Sequence, residues 1–237
     1  SHPARNFEQN LGDLLAQVAA NETGAKQLLL AVEKYGLDDV KCYMNHLLDF
    51  GEKSVRRALF NLPKNLEREG KVELDNGAVV KVKLTLKNDS AVEGSSARID
   101  FSGSSGLLNN NFNAPRAVTF AAVLYSVRLL VADNSLPLNE GCLRPLEIIV
   151  PDSCCLSAQY PAPVVAGNVE MSMCVTNAIL HAFGAIAAAA TATSPAASAK
   201  AVRAAAGSPG SASPAAAGCD TARSASALLA EPYAPTS

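Results

Sequence analysis

The spacing of the large apolar residues changes along this chain, and that change constrains the fold more than any other feature. In the first sixty residues they recur every three or four positions, beginning with Leu11, Leu14 and Val18, which is the spacing of one helix face. From Lys71 onwards, apolar and polar residues alternate, as they do in half-buried strands. The sequence therefore predicts a helical part over residues 1–63 and a mixed part over residues 64–186.

Turn residues divide both parts into shorter elements. Gly36 separates a long helix, or two helices joined near Thr23-Gly24, from a second helix that begins at Leu37. The Asn76-Gly77 step between two alternating segments predicts a hairpin, because both residues tolerate a positive φ. The remaining predicted elements are a strand near residues 97–101, a helix entered at Pro115, a strand near residues 146–150 and a helix from Gly167. Together these elements predict an α+β (mixed) fold.

Composition changes abruptly after residue 186. Residues 187–237 are mostly alanine, serine, proline and glycine, and large apolar residues almost vanish. Such a segment cannot bury enough apolar surface to offset the entropy lost on ordering. We expect a low-complexity, disordered tail, which is either an unrelated terminal extension or the product of a shifted reading frame.

Overall charge and composition exclude several classes of function. The 237 residues carry a formal net charge of −2, so the long-range attraction that nucleic acid or an anionic membrane requires is missing. No run of 18 apolar residues predicts a membrane span. The six cysteines form no C-x-x-C pair and the three histidines are isolated, so no metal site is predicted. We expect a cytoplasmic protein that binds neither nucleic acid nor membrane.

One polar stripe accompanies the apolar face of the first helix. Asn10, Asp13, Gln17 and Asn21 are spaced by three or four residues, so they share one narrow face. This stripe either is a solvated helix surface or provides hydrogen bonds to an amide-bearing substrate or a partner subunit. The spacing favours the solvated surface.

Two short polar segments stand just before predicted helices. Asn113 can cap the helix that follows it, whereas Arg116 in the first turn opposes the helix dipole and needs solvent or an anion. Asn168 and Glu170 open the last predicted helix, where capping and the dipole account for both residues without any function. For the segment at Asn113 and Arg116, binding of a carboxylate or phosphate is as well supported as helix capping with an exposed Arg116.

A serine- and glycine-rich turn follows the third predicted strand. The turn, residues 102–106, could present backbone N–H groups to an anion. It lacks both the lysine of a P-loop and the G-x-G-x-x-G spacing. An ordinary turn is therefore favoured over a nucleotide site.

Five motifs, in this order, resemble the hydantoinase B/5-oxoprolinase family. The first is an opening Asn-Leu-x-Asp-Leu-x-Ala-Gln at residues 10–17, with further matches downstream. The other four are Ile-Asp-Phe-Ser-Gly-Ser at residues 99–104, Asn-Ala-Pro-Arg-Ala-Val-Thr at 113–119, Pro-Leu-Asn-x-Gly-Cys-Leu-x-Pro at 137–145 and Ala-Gly-Asn-Val-Glu at 166–170. The opening motif is most similar to 5-oxoprolinases, and the resemblance covers about residues 1–186.

The resemblance implies an ATP-dependent opening of the 5-oxoproline lactam to glutamate, a step of glutathione turnover. In such enzymes a separate hydantoinase A-like ATPase, as a domain or subunit, phosphorylates the ring amide, and the hydantoinase B-like half completes hydrolysis. ATP and Mg are then expected for the complete enzyme, which we expect to be an oligomer acting on a small cyclic amide. We expect no cofactor to be bound by this chain.

The resemblance also implies site residues and a fragment of the hydantoinase B-like half. The expected catalytic residues are Asp13, Asn168 and Glu170, and the expected substrate-binding residues are Gln17, Asn113, Arg116 and Asn139. As a central fragment, the chain is expected to be inactive alone. The alternative hypothesis is a catalytically incompetent scaffold that binds a hydantoinase A-like ATPase through its helical N-terminal part.

Overall fold

The helical spacing of the first sixty residues produces two long helices. In a computed structural model, which describes residues 6–88, 91–131 and 138–184, helix α1 spans Phe7–Tyr35 and helix α2 spans Leu37–Phe60. The chain passes between them at Gly36, whose φ of 87° is a conformation that glycine adopts without strain. Helix α1 is continuous, so the predicted alternative of two joined helices is wrong.

The alternating segments form a four-stranded sheet. Its strands are β1 (Glu67–Glu73), β2 (Val79–Lys87), β3 (Ser96–Asp100) and β4 (Leu146–Ile149), in the order β1-β2-β3-β4. The first three strands form an antiparallel meander, and β4 pairs with β3 in parallel. The predicted hairpin turn is confirmed: Gly77 has a φ of 81°, and Asn76 Oδ1 accepts a hydrogen bond from the Ala78 N–H.

One face of the sheet is covered by helix α4, and helix α3 packs against α4. Helix α3 (Arg116–Leu130) connects β3 to β4, and helix α4 (Ser172–Ala182) crosses β1 and β2. Strand β2 alternates buried Val80, Val82, Leu84 and Leu86 with lysines and a threonine that lie toward solvent. A Cβ built on Gly70 of β1 would lie 1.9 Å from the Ala178 carbonyl oxygen, so only glycine permits this approach of strand to helix.

Helix α2 joins this body through its second half. Val55 and Leu59 are fully buried, whereas the first half of α2 is largely exposed. A 3₁₀ turn, Glu140–Leu143, packs against α2 so closely that a Cβ on Gly141 would lie 1.9 Å from the Leu48 carbonyl oxygen. This contact fixes the loop that leads into β4.

The predicted α+β fold class is confirmed by these helices and this mixed sheet. Within the described residues, no helix is both long and apolar enough to cross a bilayer. The predicted disorder of residues 187–237 lies outside the described residues.

Candidate functional site

The loop before α3 is organised around Asn113, whose side chain is fully buried. Asn113 Oδ1 accepts a hydrogen bond from the Leu108 N–H at 2.9 Å. Its Nδ2 donates to the carbonyl oxygens of Leu108, Asn110 and Pro163, at 3.0, 2.8 and 3.1 Å. The prediction that Asn113 caps α3 is wrong, because Pro115 occupies the N-cap position and the amide folds back on its own loop.

Three segments distant in sequence meet at this loop. The Ala114 N–H donates to the Cys155 carbonyl oxygen and the Ala158 N–H to that of Ala114. A Cβ on Gly167 would lie 2.5 Å from the Asn113 carbonyl oxygen, so glycine is required for the two motifs to touch. The structure therefore brings the Asn113-Ala-Pro-Arg motif and the Ala-Gly-Asn-Val-Glu motif together, and we name this contact the motif junction.

A single π-helical turn carries the second half of the motif junction. It spans Gly167–Met171, directly before α4, and the Met171 N–H donates to the Ala166 carbonyl oxygen. Asn168 and Glu170 are both exposed on this turn, and Asn168 lies within the turn rather than capping it. Such turns occur preferentially at functional sites, because they re-aim side chains that an α-helix would direct elsewhere.

Arg116 belongs to the first of the two motifs and lies in the first turn of α3. Its guanidinium is half-exposed, 3.6 Å from the exposed carboxylate of Asp152 and 5.7 Å from the Phe120 ring centroid. Arg116 was predicted to need solvent or an anion, and it has both: its side chain is half-exposed and it faces the Asp152 carboxylate. An exposed ion pair of this length is weak. Asp152 was not predicted as a site residue. The only feature of the sequence that could have indicated it is its position just after strand β4.

Asn139 serves a different part of the fold. Its Oδ1 accepts a hydrogen bond from the Gly141 N–H at 2.9 Å, and its Nδ2 donates to the Leu47 carbonyl oxygen at 3.0 Å. Arg144 reinforces this attachment by bridging Asp49 at 2.8 Å and Glu52 at 3.3 Å. These contacts hold α2 to the loop before β4, which gives Asn139 a structural role.

Asp13 and Gln17 lie on the exposed surface of α1, which has no buried residue. Their stripe is solvated within the described residues, as the spacing favoured. The seven predicted site residues thus lie in three places: on helix α1, in the loop that holds α2 to β4, and at the motif junction.

The serine- and glycine-rich turn after β3 uses its polar groups internally. The N–H groups of Ser102, Ser104 and Ser105 donate to Asp100 Oδ1, the Phe101 carbonyl oxygen and the Val79 carbonyl oxygen. The hydroxyls of Ser104 and Ser105 accept hydrogen bonds from β2 N–H groups. The N–H groups of the three serines are therefore used within the fold, which disfavours phosphate binding by this turn.

The cysteines near the motif junction are unsuited to nucleophilic chemistry. Burial raises the pKa of Cys155 to about 12, and the neighbouring Cys154 adds to the rise. Burial, followed by the charge of Glu170, also raises the pKa of Cys174. Both groups are thiols rather than thiolates at neutral pH.

Comparison with known proteins decides the family. The sequence model described as Hydantoinase B/oxoprolinase matches residues 1–224. This chain belongs to the hydantoinase B/oxoprolinase family. The resemblance inferred from the five motifs is therefore confirmed.

Comparison with individual members of the hydantoinase B/oxoprolinase family shows what share of a relative's length this chain covers. It is 38% identical over 196 residues to 5-oxoprolinase 1 of Arabidopsis thaliana, covering 77% of this chain and 15% of that one. It is 34% identical over 187 residues to the 5-oxoprolinase of Saccharomyces cerevisiae, covering 78% and 14%. The chain thus spans about one seventh of the length of these relatives.

A third relative and one solved structure are also similar to this chain. The 5-oxoprolinase of Dictyostelium discoideum is 37% identical over 190 residues, covering 78% of this chain and 15% of that one. The crystal structure of an ATP-dependent caprolactamase from Pseudomonas jessenii superposes with a TM-score of 0.57 at 22% identity, covering 75% of this chain and 31% of that one. At that identity the superposition shows a shared fold.

Proposed function

We propose that this chain forms part of an ATP-dependent amidohydrolase that opens the 5-oxoproline lactam to glutamate, as a cytoplasmic step of glutathione turnover. The similarity to relatives named 5-oxoprolinase, at 34–38% identity over 77–78% of the chain, carries the proposal. Water adds to the ring carbonyl and the carbonyl–nitrogen bond breaks, which leaves a carboxylate and an amine. An unstrained five-membered amide is a poor electrophile, so the reaction needs activation of its carbonyl oxygen.

The motif junction supplies groups suited to that chemistry. Arg116 would bind the substrate carboxylate in place of Asp152, through charge-assisted hydrogen bonds. The Asn168 amide would donate to the oxygen of the attacking water, which becomes negative as Glu170 takes its proton during addition. Both side chains are exposed on the π-helical turn. Asn113 acts as a positioning residue, because three of its hydrogen bonds close its own loop and the fourth ties that loop to Pro163, three residues before the second motif.

ATP and Mg would be bound by a separate ATPase domain or subunit. Of the segments the structure describes, the serine- and glycine-rich turn is the one whose composition suggests phosphate binding, and the N–H groups of its three serines are already used within the fold. ATP would supply the phosphoryl group that activates the amide oxygen. After the carbonyl–nitrogen bond breaks, this group would be released as inorganic phosphate by hydrolysis of the acyl phosphate, which leaves the carboxylate. A hydantoinase A-like ATPase domain or subunit is the partner that fits this division of labour.

Reconstitution tests the proposal. The purified chain is mixed with a hydantoinase A-type ATPase, the remaining segments of a hydantoinase B-like half, 5-oxoproline and MgATP, and glutamate release is measured. We expect turnover from the mixture and none from the chain alone. Turnover of hydantoin or caprolactam without turnover of 5-oxoproline would show that the substrate is wrong, and the absence of turnover with all three amides would favour the second candidate below.

Matched variants test the site. Glu170→Gln should lower kcat by on the order of 100-fold or more, and Arg116→Ala should mainly raise KM. The controls are Glu147→Gln and Arg98→Ala, which alter charged residues on the solvent face of the sheet. Equal losses in site and control variants, or full activity in both site variants, would show that the motif junction is not the catalytic site.

A second candidate function is a non-catalytic assembly role, for which the exposed apolar face of α2 is the supporting observation. Leu37, Tyr43, Met44 and Leu47 lie on the first half of this helix and are 40–50% exposed. Such a patch is typical of a surface that another protein covers. Size-exclusion chromatography with the ATPase should show a complex that Met44→Glu abolishes, and a complex unaffected by this substitution would exclude the α2 face.

A further inference from the structure

Ser172, the first residue of α4, uses its side chain to bond the π-helical turn that precedes it. Its hydroxyl donates to the Asn168 carbonyl oxygen at 2.9 Å and lies 3.3 Å from the Val169 carbonyl oxygen. Serine hydroxyls in helices commonly reach back three or four residues in this way. Within a regular α-helix such a bond is redundant, because the carbonyl it reaches already accepts a backbone N–H. The π-helical turn changes that count.

The backbone of the turn has one carbonyl more than the N–H groups that can reach it. The Ser172 N–H donates to the Gly167 carbonyl oxygen, five residues back. The regular ladder of α4 begins at the carbonyl of Met171, its N-cap, which accepts the N–H of residue 175, four residues on. The three carbonyls of residues 168–170 therefore face only the two N–H groups of residues 173 and 174. The Ser172 hydroxyl supplies the missing donor.

Tertiary contacts fix both ends of the π-helical turn. At one end Gly167 lies against Asn113, where a Cβ would be 2.5 Å from the Asn113 carbonyl oxygen. At the other end α4 is buried on the sheet, where Ala178 lies against Gly70. The extra residue of the turn cannot be expelled without breaking one of these contacts. The shape of the turn therefore depends on whether its carbonyls have donors.

Asn168 and Glu170 depend on this backbone for their direction. Both side chains are exposed, and neither makes a hydrogen bond or an ion pair with another residue that the structure describes. A side chain without a partner is directed only by its backbone conformation and its rotamer. Loosening the turn would therefore redirect both groups, although no group that touches the substrate is removed.

We propose that Ser172 is a positioning residue, whose hydroxyl holds the π-helical turn in the shape that directs Asn168 and Glu170 at the attacking water. Ser172 itself neither gains nor loses a proton in the reaction. The catalytic consequence rests on the proposed function, whereas the effect on the turn does not.

Amide hydrogen exchange of the chain, followed residue by residue by NMR, tests the effect on the turn. Ser172→Ala should speed exchange of the N–H groups of residues 171 and 172 by about threefold to tenfold, which corresponds to the loss of one hydrogen bond. Alanine is a better helix former than serine, so helix propensity alone would slow exchange there. Ser172→Thr keeps the hydroxyl and should exchange within about twofold of the wild-type rate.

Thr176→Val is the matched control for Ser172→Ala. The Thr176 hydroxyl donates to the Ser172 carbonyl oxygen at 2.9 Å, and that carbonyl already accepts the Thr176 N–H within α4. Loss of this redundant bond should change exchange at residues 171 and 172 by less than about twofold. Wild-type exchange in Ser172→Ala, or equal acceleration by Ser172→Ala and Thr176→Val, would overturn the positioning role.

Steady-state kinetics of the reconstituted enzyme tests the catalytic consequence. Ser172→Ala should lower kcat about tenfold and leave KM for 5-oxoproline within about twofold, because Arg116 lies on α3 and keeps its place. Ser172→Thr should restore kcat, and Thr176→Val should leave kcat unchanged. A wild-type kcat in Ser172→Ala would overturn the positioning role even if exchange is faster. A wild-type kcat in Glu170→Gln would instead refute the proposed function, and the exchange rates would still decide whether Ser172 holds the turn.

Discussion

Replacing Asn113 with alanine should destabilise the fold by about 3 kcal/mol. The substitution removes four hydrogen bonds at a fully buried position. The N–H of Leu108 loses its acceptor, and three carbonyl oxygens lose a donor. A buried polar group without a partner costs about 1–3 kcal/mol. We assign one full penalty to the Leu108 N–H and smaller penalties to the three carbonyl oxygens, because solvent reaches part of the surrounding loop. Together these give the expected destabilisation of about 3 kcal/mol.

Chemical denaturation with urea at pH 7 measures this effect. The midpoint should fall while the m-value stays constant, and the melting temperature should fall by about 6–12 °C. Asn109→Ala removes an exposed amide from the same loop and should change the free energy of unfolding by less than about 0.5 kcal/mol.

A second substitution at the same position separates shape from hydrogen bonding. Asn113→Asp keeps the size but places a carboxyl among three carbonyl oxygens, so burial should raise its pKa in the folded state above the unfolded value of about 3.9. An acid with a raised folded pKa is least destabilising below its unfolded pKa, and stability is lost as the pH rises through the folded pKa. The aspartate variant should therefore be more stable at pH 3.5 than at pH 7, relative to the wild-type chain at each pH.

Two results would refute this reasoning. A loss below about 1 kcal/mol in Asn113→Ala would show that the loop finds other hydrogen-bond partners. Unchanged stability with lost hydrolysis in the reconstituted assay would make Asn113 a substrate-binding residue rather than a positioning residue.

Three further predictions concern packing, reactivity and pH. Gly70→Ala should cost about 3 kcal/mol or more in urea denaturation, because the new Cβ would meet the Ala178 carbonyl oxygen; a smaller loss would show that strand and helix can separate. Iodoacetamide at pH 8 should alkylate the exposed Cys42 on the order of 100-fold faster than Cys155, whose pKa burial raises to about 12; comparable rates by mass spectrometry would contradict that burial. Hydrogen bonds from arginine hold the pKa of Glu52 below its ordinary value, so its stabilisation is present above the unfolded pKa and lost as the pH falls through the folded pKa. Glu52→Gln should accordingly destabilise the chain more at pH 7 than at pH 3, and equal effects would refute the ion pair's contribution.

Local rules were sufficient to predict the elements themselves. The helix stop at Gly36, the turn at Asn76-Gly77 and the strands on either side depend on backbone conformations and alternation that a few neighbouring residues specify. The family could be inferred from five short motifs for a related reason, since each motif is contiguous in sequence. The start of β1 at Glu67 was missed, because its first residues are charged and only pairing with β2 holds them.

The roles of the polar residues were decided by tertiary structure. Asparagine is a residue type that commonly caps helices, which is what the sequence indicated for Asn113. Asn113 lies at the motif junction only because Gly167 lets the two backbones approach. Asn139 likewise acquires its role from Leu47, 92 residues earlier in the chain. The period of α1 is present in the sequence, but its exposure is not, because a periodic stripe looks the same whether the fold covers it or leaves it exposed.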